Sequence, residues 1–189
     1  MTSISNSIAE YKQKLDLVWK SIDHYQVEKL EYDLLTAWKN EKSVFICGNG
    51  GSAANANHLA NDLLYGINPY GKGIKVHSLC ANSSINTCLA NDTGYENVFS
   101  KQLHTLGSKE DLLIALSGSG NSQNVINSLR EARKIGIQTC VMLGFNGGEC
   151  IKLADTVIHF KIDDMQVSED CQMIIFHLLI RKLQNSKLK

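Results

Sequence analysis

Excess charge of either sign is missing from this chain: 19 Lys+Arg stand against 19 Asp+Glu in 189 residues. Proteins that track a phosphate backbone carry a basic surplus, so an electrostatic nucleic-acid binder is excluded. Long apolar runs are missing too. The longest, Met173 to Ile180, is too short to span a bilayer and carries His177 within it. The first residues, Met1 to Asn6, are polar and lead to Glu10, Lys12 and Lys14, so no signal-peptide core is present and a soluble, cytoplasmic protein is expected. CxxC pairs are also lacking. Cys47, Cys80, Cys88, Cys140, Cys150 and Cys171 stand singly, mostly among apolar residues, which favours buried thiols over a disulfide framework or a zinc–thiolate site. Proline is reduced to Pro69, within a glycine-bearing surface loop from Gly66 to Gly73. With 43% hydrophobic and 20% charged residues, the chain is an ordinary packed globule of one domain with an appendage.

The appendage is an N-terminal helical arm over residues 1–40, ahead of a main domain over 41–189. Ile8, Tyr11, Leu15, Val18 and Trp19, then Leu30, Leu34, Leu35 and Trp38, recur every three or four residues, with a break near Asp23 to Gln26. Two helices alone bury little, so their apolar stripe must pack on the domain or on another copy of the chain. After Lys42 the period changes. Strands are predicted at Ser43–Cys47, Ile74–Leu79, Leu112–Leu116, Thr139–Leu143 and Thr156–Phe160. Helical patterns lie at Ser52–Tyr65, Ser84–Asn91, Tyr95–Leu106, Asn121–Lys134 and Ser168–Gln184. Strand and helix alternating in this way, with strands apolar on both faces, predict an α/β fold: a five-stranded, mostly parallel sheet flanked by helices.

Two turns carry chemistry. Cys47-Gly48-Asn49-Gly50-Gly51-Ser52 falls where a strand ends and a helix begins, so bare backbone N–H groups and the positive helix end favour an anion there. The plain alternative is a tight loop with Ser52 as helix N-cap. Its spacing fits neither GxGxxG nor GxxxxGK[ST], which disfavours a dinucleotide or ATP. Leu116-Ser117-Gly118-Ser119-Gly120-Asn121-Ser122 repeats the pattern after another strand, with three hydroxyls able to surround a phosphate. Each contact of charge with a helix dipole contributes about 0.3–1 kcal/mol, so several must act together. In an open parallel sheet both turns lie at the carboxyl edge, where ligands bind. Together they favour a phosphorylated small molecule.

His58 and Asp62 are four apart on a predicted helix and project about 40° from one another, able to share a metal or a proton. A surface or capping contact is the commoner use of such a pair. His177 stands in an apolar stretch of the last helix, where a core histidine with one satisfied hydrogen bond is a serious competitor.

GNGGSAANA, then His58, then SGSGNS and a terminal helix with His177 resemble the sugar isomerase (SIS) domain family, in a flavodoxin-like three-layer sandwich, and within it the phosphoheptose isomerase branch. The likeness runs over nearly the whole chain. It implies that Asn49, Gly50, Gly51 and Ser52, with Ser117, Gly118, Ser119 and Ser122, hold the sugar phosphate, and that Asn91 and Asp92 contact substrate hydroxyls. It implies a divalent metal, commonly zinc, on His58, Asp62, Glu169 and His177, and a homotetramer with sites near subunit contacts. The expected reaction converts sedoheptulose 7-phosphate to glycero-manno-heptose 7-phosphate, with Asp62 and His177 catalytic and Glu169 also at the substrate. Four positions depart from the pattern: Asp62 replaces a Glu, Glu169 a Gln, Gly118 a common Thr, and Gly66 an Arg. A shorter Asp62 must sit closer to the substrate carbons, and an anionic Glu169 adds attraction for a cation. Glu169 and His177 are separated by about 12 Å of helix rise, so Glu169 either lies at a frayed helix start or serves a site shared between chains. A non-catalytic SIS protein that binds sugar phosphate or a replication initiator, and a hexose-phosphate isomerase, are the competing readings.

Overall fold

A computed structural model describes residues 3–186. Helices α1 (Ile4–Ser21) and α2 (His24–Lys39) form the N-terminal arm, each started by a side-chain cap, Ser3 onto the Asn6 amide and Asp23 onto the Tyr25 amide. The chain then runs through β1 (Ser43–Gly48), α3 (Gly51–Asn61), β2 (Lys75–Ser78), α4 (Ser83–Thr93), α5 (Val98–Leu106), β3 (Leu112–Ser117), α6 (Gln123–Ile135), β4 (Gln138–Leu143), β5 (Thr156–His159) and α7 (Met165–Asn185). All four ladders are parallel, in the order β2-β1-β3-β4-β5.

Strand alternation divides the interior into two cores. Val44, Ile46, Leu112, Ile114, Cys140 and Met142 face one side, packed with α2, α3 and α7. Phe45, Cys47, Leu113, Ala115, Val141 and Leu143 face the other, packed with α5 and α6. β3 is buried along its whole length, as a central parallel strand covered on both faces must be. A fully buried side chain such as Phe45 contributes on the order of 1.5–3 kcal/mol. The arm joins the first core through Val18, Leu30 and Leu34, and is tied to α7 by Tyr11 to Asp170 (2.6 Å) and Lys14 to Asp164 (2.9 Å).

Several predicted bounds shift. The helix expected over Ser52–Tyr65 gives way at Asp62 to a π-helical turn over Asp62–Gly66, closed by the Ile67 amide on the Asp62 carbonyl (2.9 Å). The neighbouring Leu63 carbonyl accepts from the Ile74 amide (2.9 Å), so the segment entering β2 shares that ladder. Tyr95–Asn97 is a 3-10 turn ahead of α5. Ile74 and Leu79 fall outside β2. Every cysteine is free; four are buried as expected, but Cys80 is half-buried and Cys88 exposed.

Candidate active site

The order β2-β1-β3 places the topological switch point between β1 and β3, since the chain leaves these neighbours in opposite directions. Both glycine and serine turns leave the sheet there. Asn49, Gly50, Gly51, Ser52, Ser117, Gly118, Ser119 and Ser122 line one cavity of about 260 Å³, together with Leu116, Met165 and Glu169. It contains no Lys or Arg. Cations are replaced by helix ends: neither α3 nor α6 has a side-chain cap, whereas Ser3, Asp23, Asn82 and Asp164 cap four other helices. Apart from the Val125 amide, which donates to Asn124 Oδ1 (3.0 Å), the first-turn amides of α3 and α6 have no side-chain partner and are available to a ligand; α5, away from the cavity, is uncapped as well. Ser52 is therefore not the cap of α3; it lies within the helix, buried, against Gln172.

The serine turn is held by its own hydroxyls, Ser117 Oγ accepting from the Gly120 amide (3.1 Å) and Ser119 Oγ from the Asn121 amide (3.2 Å). Each hydroxyl keeps its proton to donate. Gly120 has φ +66, and a Cβ there would run into the Gly147 carbonyl, so this turn requires glycine. The glycine turn is held by a reciprocal amide pair unforeseen from the sequence. Asn49 Nδ2 donates to Asn124 Oδ1 (2.9 Å), Asn124 Nδ2 returns to Asn49 Oδ1 (2.8 Å), and Tyr95 OH donates to the same oxygen (2.8 Å). Asn124 belongs to α6, so the pair locks the two turns together.

A second feature lies farther along α3. His58 Nε2 is 3.3 Å from Asp62 Oδ2 and 3.3 Å from His177 Nε2 of α7, with the imidazole centroids 5.3 Å apart at 63°. His177 is exposed, not a core histidine. The π-turn begins at Asp62, and Asn61 Nδ2 holds Asp62 Oδ1 at 3.1 Å. Two Nε2 atoms facing one another, one of them also against a carboxylate oxygen, must share a proton or share a cation. One ligand atom from each residue falls within 4.8 Å of the others. Two imidazoles and a carboxylate, with a solvent-facing side, fit the three-ligand open arrangement of a catalytic zinc.

Glu169 is not in that group. It lies inside α7, not at a frayed start, and its carboxylate rests on Gly51 in the cavity between the turns. Within one chain the atoms that converge are those of His58, Asp62 and His177, with Glu169 about 12 Å of helix rise from His177. Buried Gln172, also unforeseen, ties α7 to the first turns of α3: its Oε1 accepts from Asn55 Nδ2 (3.0 Å) and it meets Ser52 Oγ. Asn91 and Asp92 end α4, exposed and bonded to each other (2.7 Å), outside the cavity lining. Gly66 faces Asp62 across the π-turn, its carbonyl held by Gln184 Nε2 (2.9 Å).

A doubly wound sheet with a cavity of helix ends and hydroxyls, free of Lys and Arg, at its switch point and an imidazole–carboxylate group beside it defines an α/β domain with a ligand site at its carboxyl edge. Comparisons with known proteins narrow the class. Residues 10–144 match the SIS domain family. Phosphoheptose isomerase of Helicobacter pylori (strain P12) is 34% identical over 172 residues, 90% of this chain and 90% of that one. The solved phosphoheptose isomerase of Neisseria gonorrhoeae superposes with a TM-score of 0.89 at 25% identity, covering 97% of both chains. That of Francisella tularensis gives 0.92 at 21% identity, over 98% of this chain and 100% of that one, a likeness of fold. The chain belongs to the SIS domain family and, within it, to the phosphoheptose isomerases, enzymes that isomerise a sugar phosphate.

Proposed function

We propose that the chain interconverts sedoheptulose 7-phosphate and glycero-manno-heptose 7-phosphate by proton transfer through an enediol. The observation that carries this reading is the approach of His58, Asp62 and His177 beside the anion cradle. Seven residues of α3 separate Gly51 from His58, about 10 Å of helix rise, a span suited to an extended seven-carbon phosphate ester.

The cradle holds the phosphate with α3 and α6 amides and the hydroxyls of Ser117, Ser119 and Ser122. At the other end the Asp62 carboxylate takes a proton from C1, and the C–H electron pair becomes the C1=C2 bond of the enediol. His177 gives a proton to the carbonyl oxygen on C2. Asp62 then returns its proton to C2 as His177 takes the proton from O1, restoring a carbonyl at C1; no electrons are gained or lost overall and both residues end as they began. His58, Asp62 and His177 would hold a divalent ion, zinc by its donor chemistry, which when bound supplies Lewis acidity and keeps the open-chain sugar in place.

The active form is a homo-oligomer, tetrameric in our reading, working in the cytoplasm without nucleic acid or membrane. Leu64 and Tyr65 of the π-turn, Ile174 and Leu178 of α7, and Ile4, Ile8 and Leu17 along α1 are exposed. Apolar surface gathered in this way fits another copy of the chain. Among the described residues no helix is long and apolar enough to cross a membrane. The test is incubation with sedoheptulose 7-phosphate, with and without chelator, followed by product analysis. Heptose 7-phosphate should form and should fall away with chelator. No product under either condition would leave a binding protein instead.

A further inference from the structure

The cradle already contains an anion of the protein's own. Glu169 and Met165 stand one turn apart on the same face of α7 and lie on the two turns: a Cβ on Gly51 would collide with the Glu169 carboxylate, and one on Gly118 with the Met165 thioether. Both side chains line the cavity with Ser117, Ser119 and Ser122. Gly51 is the first residue of uncapped α3, so the carboxylate sits at a positive helix end. No side chain among the described residues donates to it; the hydrogen bond Asn55 makes to Glu169 is to its main-chain carbonyl (3.0 Å).

We propose that Glu169 is an internal competitor for the phosphate seat, a specificity-determining residue that the incoming phosphate must displace from Gly51. A carboxylate and a phosphate cannot occupy one uncharged cradle together, because no cation there offsets their repulsion. The residue therefore raises the threshold for any free anion, and a ligand must bring further contacts, such as sugar hydroxyls and the far-end chemistry, to enter. Inorganic phosphate, which brings none, meets the threshold in full. This inference rests on the phosphate-cradle reading above.

Calorimetric titration of inorganic phosphate into metal-free protein, in chelator-containing buffer of low ionic strength, separates the two. Glu169→Gln keeps the shape and removes the charge, and should bind phosphate on the order of tenfold more tightly than the wild type, as expected for a half-exposed like-charge contact. The gap should narrow at about 1 M salt, where the screening length is only about 3 Å. Glu169→Ala should also bind more tightly, and circular dichroism establishes that each variant is folded. Equal affinities in the three proteins, weaker binding in both variants, or a gap indifferent to salt would overturn the competitor role while leaving the cradle in place. No phosphate binding in any of them would sink the cradle reading and this inference together.

Discussion

The phosphate cradle and the imidazole–carboxylate group differ in shelter. Ser52, Ser117 and Asn124 of the cradle are buried and hydrogen-bonded within one chain, and the turns are locked by the Asn49–Asn124 pair. At the other end His58 is 52% exposed and Asp62 21%, with Leu178 nearby at 48%. The two turns and the hydrogen bonds that lock them thus come from one chain, because parallel strands and helix ends build them. The imidazole–carboxylate group, to which we assign proton transfer, lies open to solvent on α3 and α7, so in that reading a water-excluded environment has to come from elsewhere.

The largest expected effect breaks the comparison at its reactive end. Asp62→Asn and His177→Ala should each lower kcat for heptose isomerisation by about 10²- to 10⁴-fold, the range of a lost general acid or base. Phosphate binding should stay as in the wild type, since neither side chain lines the cradle. Steady-state kinetics beside calorimetry reads both. Near-normal turnover in both variants would remove these residues from the chemistry.

A smaller effect sharpens the contrast in shelter. Leu178→Glu puts a charge beside His177 on an exposed apolar face and should dissociate the oligomer, seen by light scattering. Turnover should drop by about tenfold or more as the reactive end stays wet, while the single-chain cradle keeps its phosphate affinity. If the monomer retained full activity, shelter would not be supplied by a second copy.

The cradle was legible in the sequence because it is local: glycines and serines directly after apolar strand runs mark turns at the carboxyl edge, whatever the rest of the chain does. The parallel sheet was legible for a similar reason, since β1 and β3 are apolar on both faces. The π-turn at Asp62 was not: within it the Leu63 carbonyl takes the Ile74 amide, a tertiary contact that periodicity does not register. Asn124 read as an ordinary polar position on α6, and its pairing with Asn49 spans 75 residues of sequence. Glu169's position against Gly51 was not legible either, because it depends on how α7 packs on the start of α3, a contact between residues 118 apart in sequence.

The smallest expected effect concerns the helix that serves both ends. Asp164 caps α7 through the Val167 amide (3.1 Å) and accepts from Lys14 (2.9 Å), fixing the start of the helix that carries Met165, Glu169 and His177. Asp164→Ala should cost about 1 kcal/mol of stability at neutral pH, the usual value of a lost N-cap, measured by urea unfolding. The Lys14 hydrogen bond first, then the Val167 amide, hold the Asp164 carboxyl below its ordinary range. A carboxyl depressed in the folded state stabilises fully above its unfolded value, about 3.9, and loses that contribution as pH falls through the lower folded value. The difference between wild type and Asp164→Ala should therefore be full at pH 7 and shrink in acid below about pH 4. A difference that stayed constant into acid would mean that the cap acts through shape and not through its charge, and the tie between arm and α7 would then matter to neither half of the site.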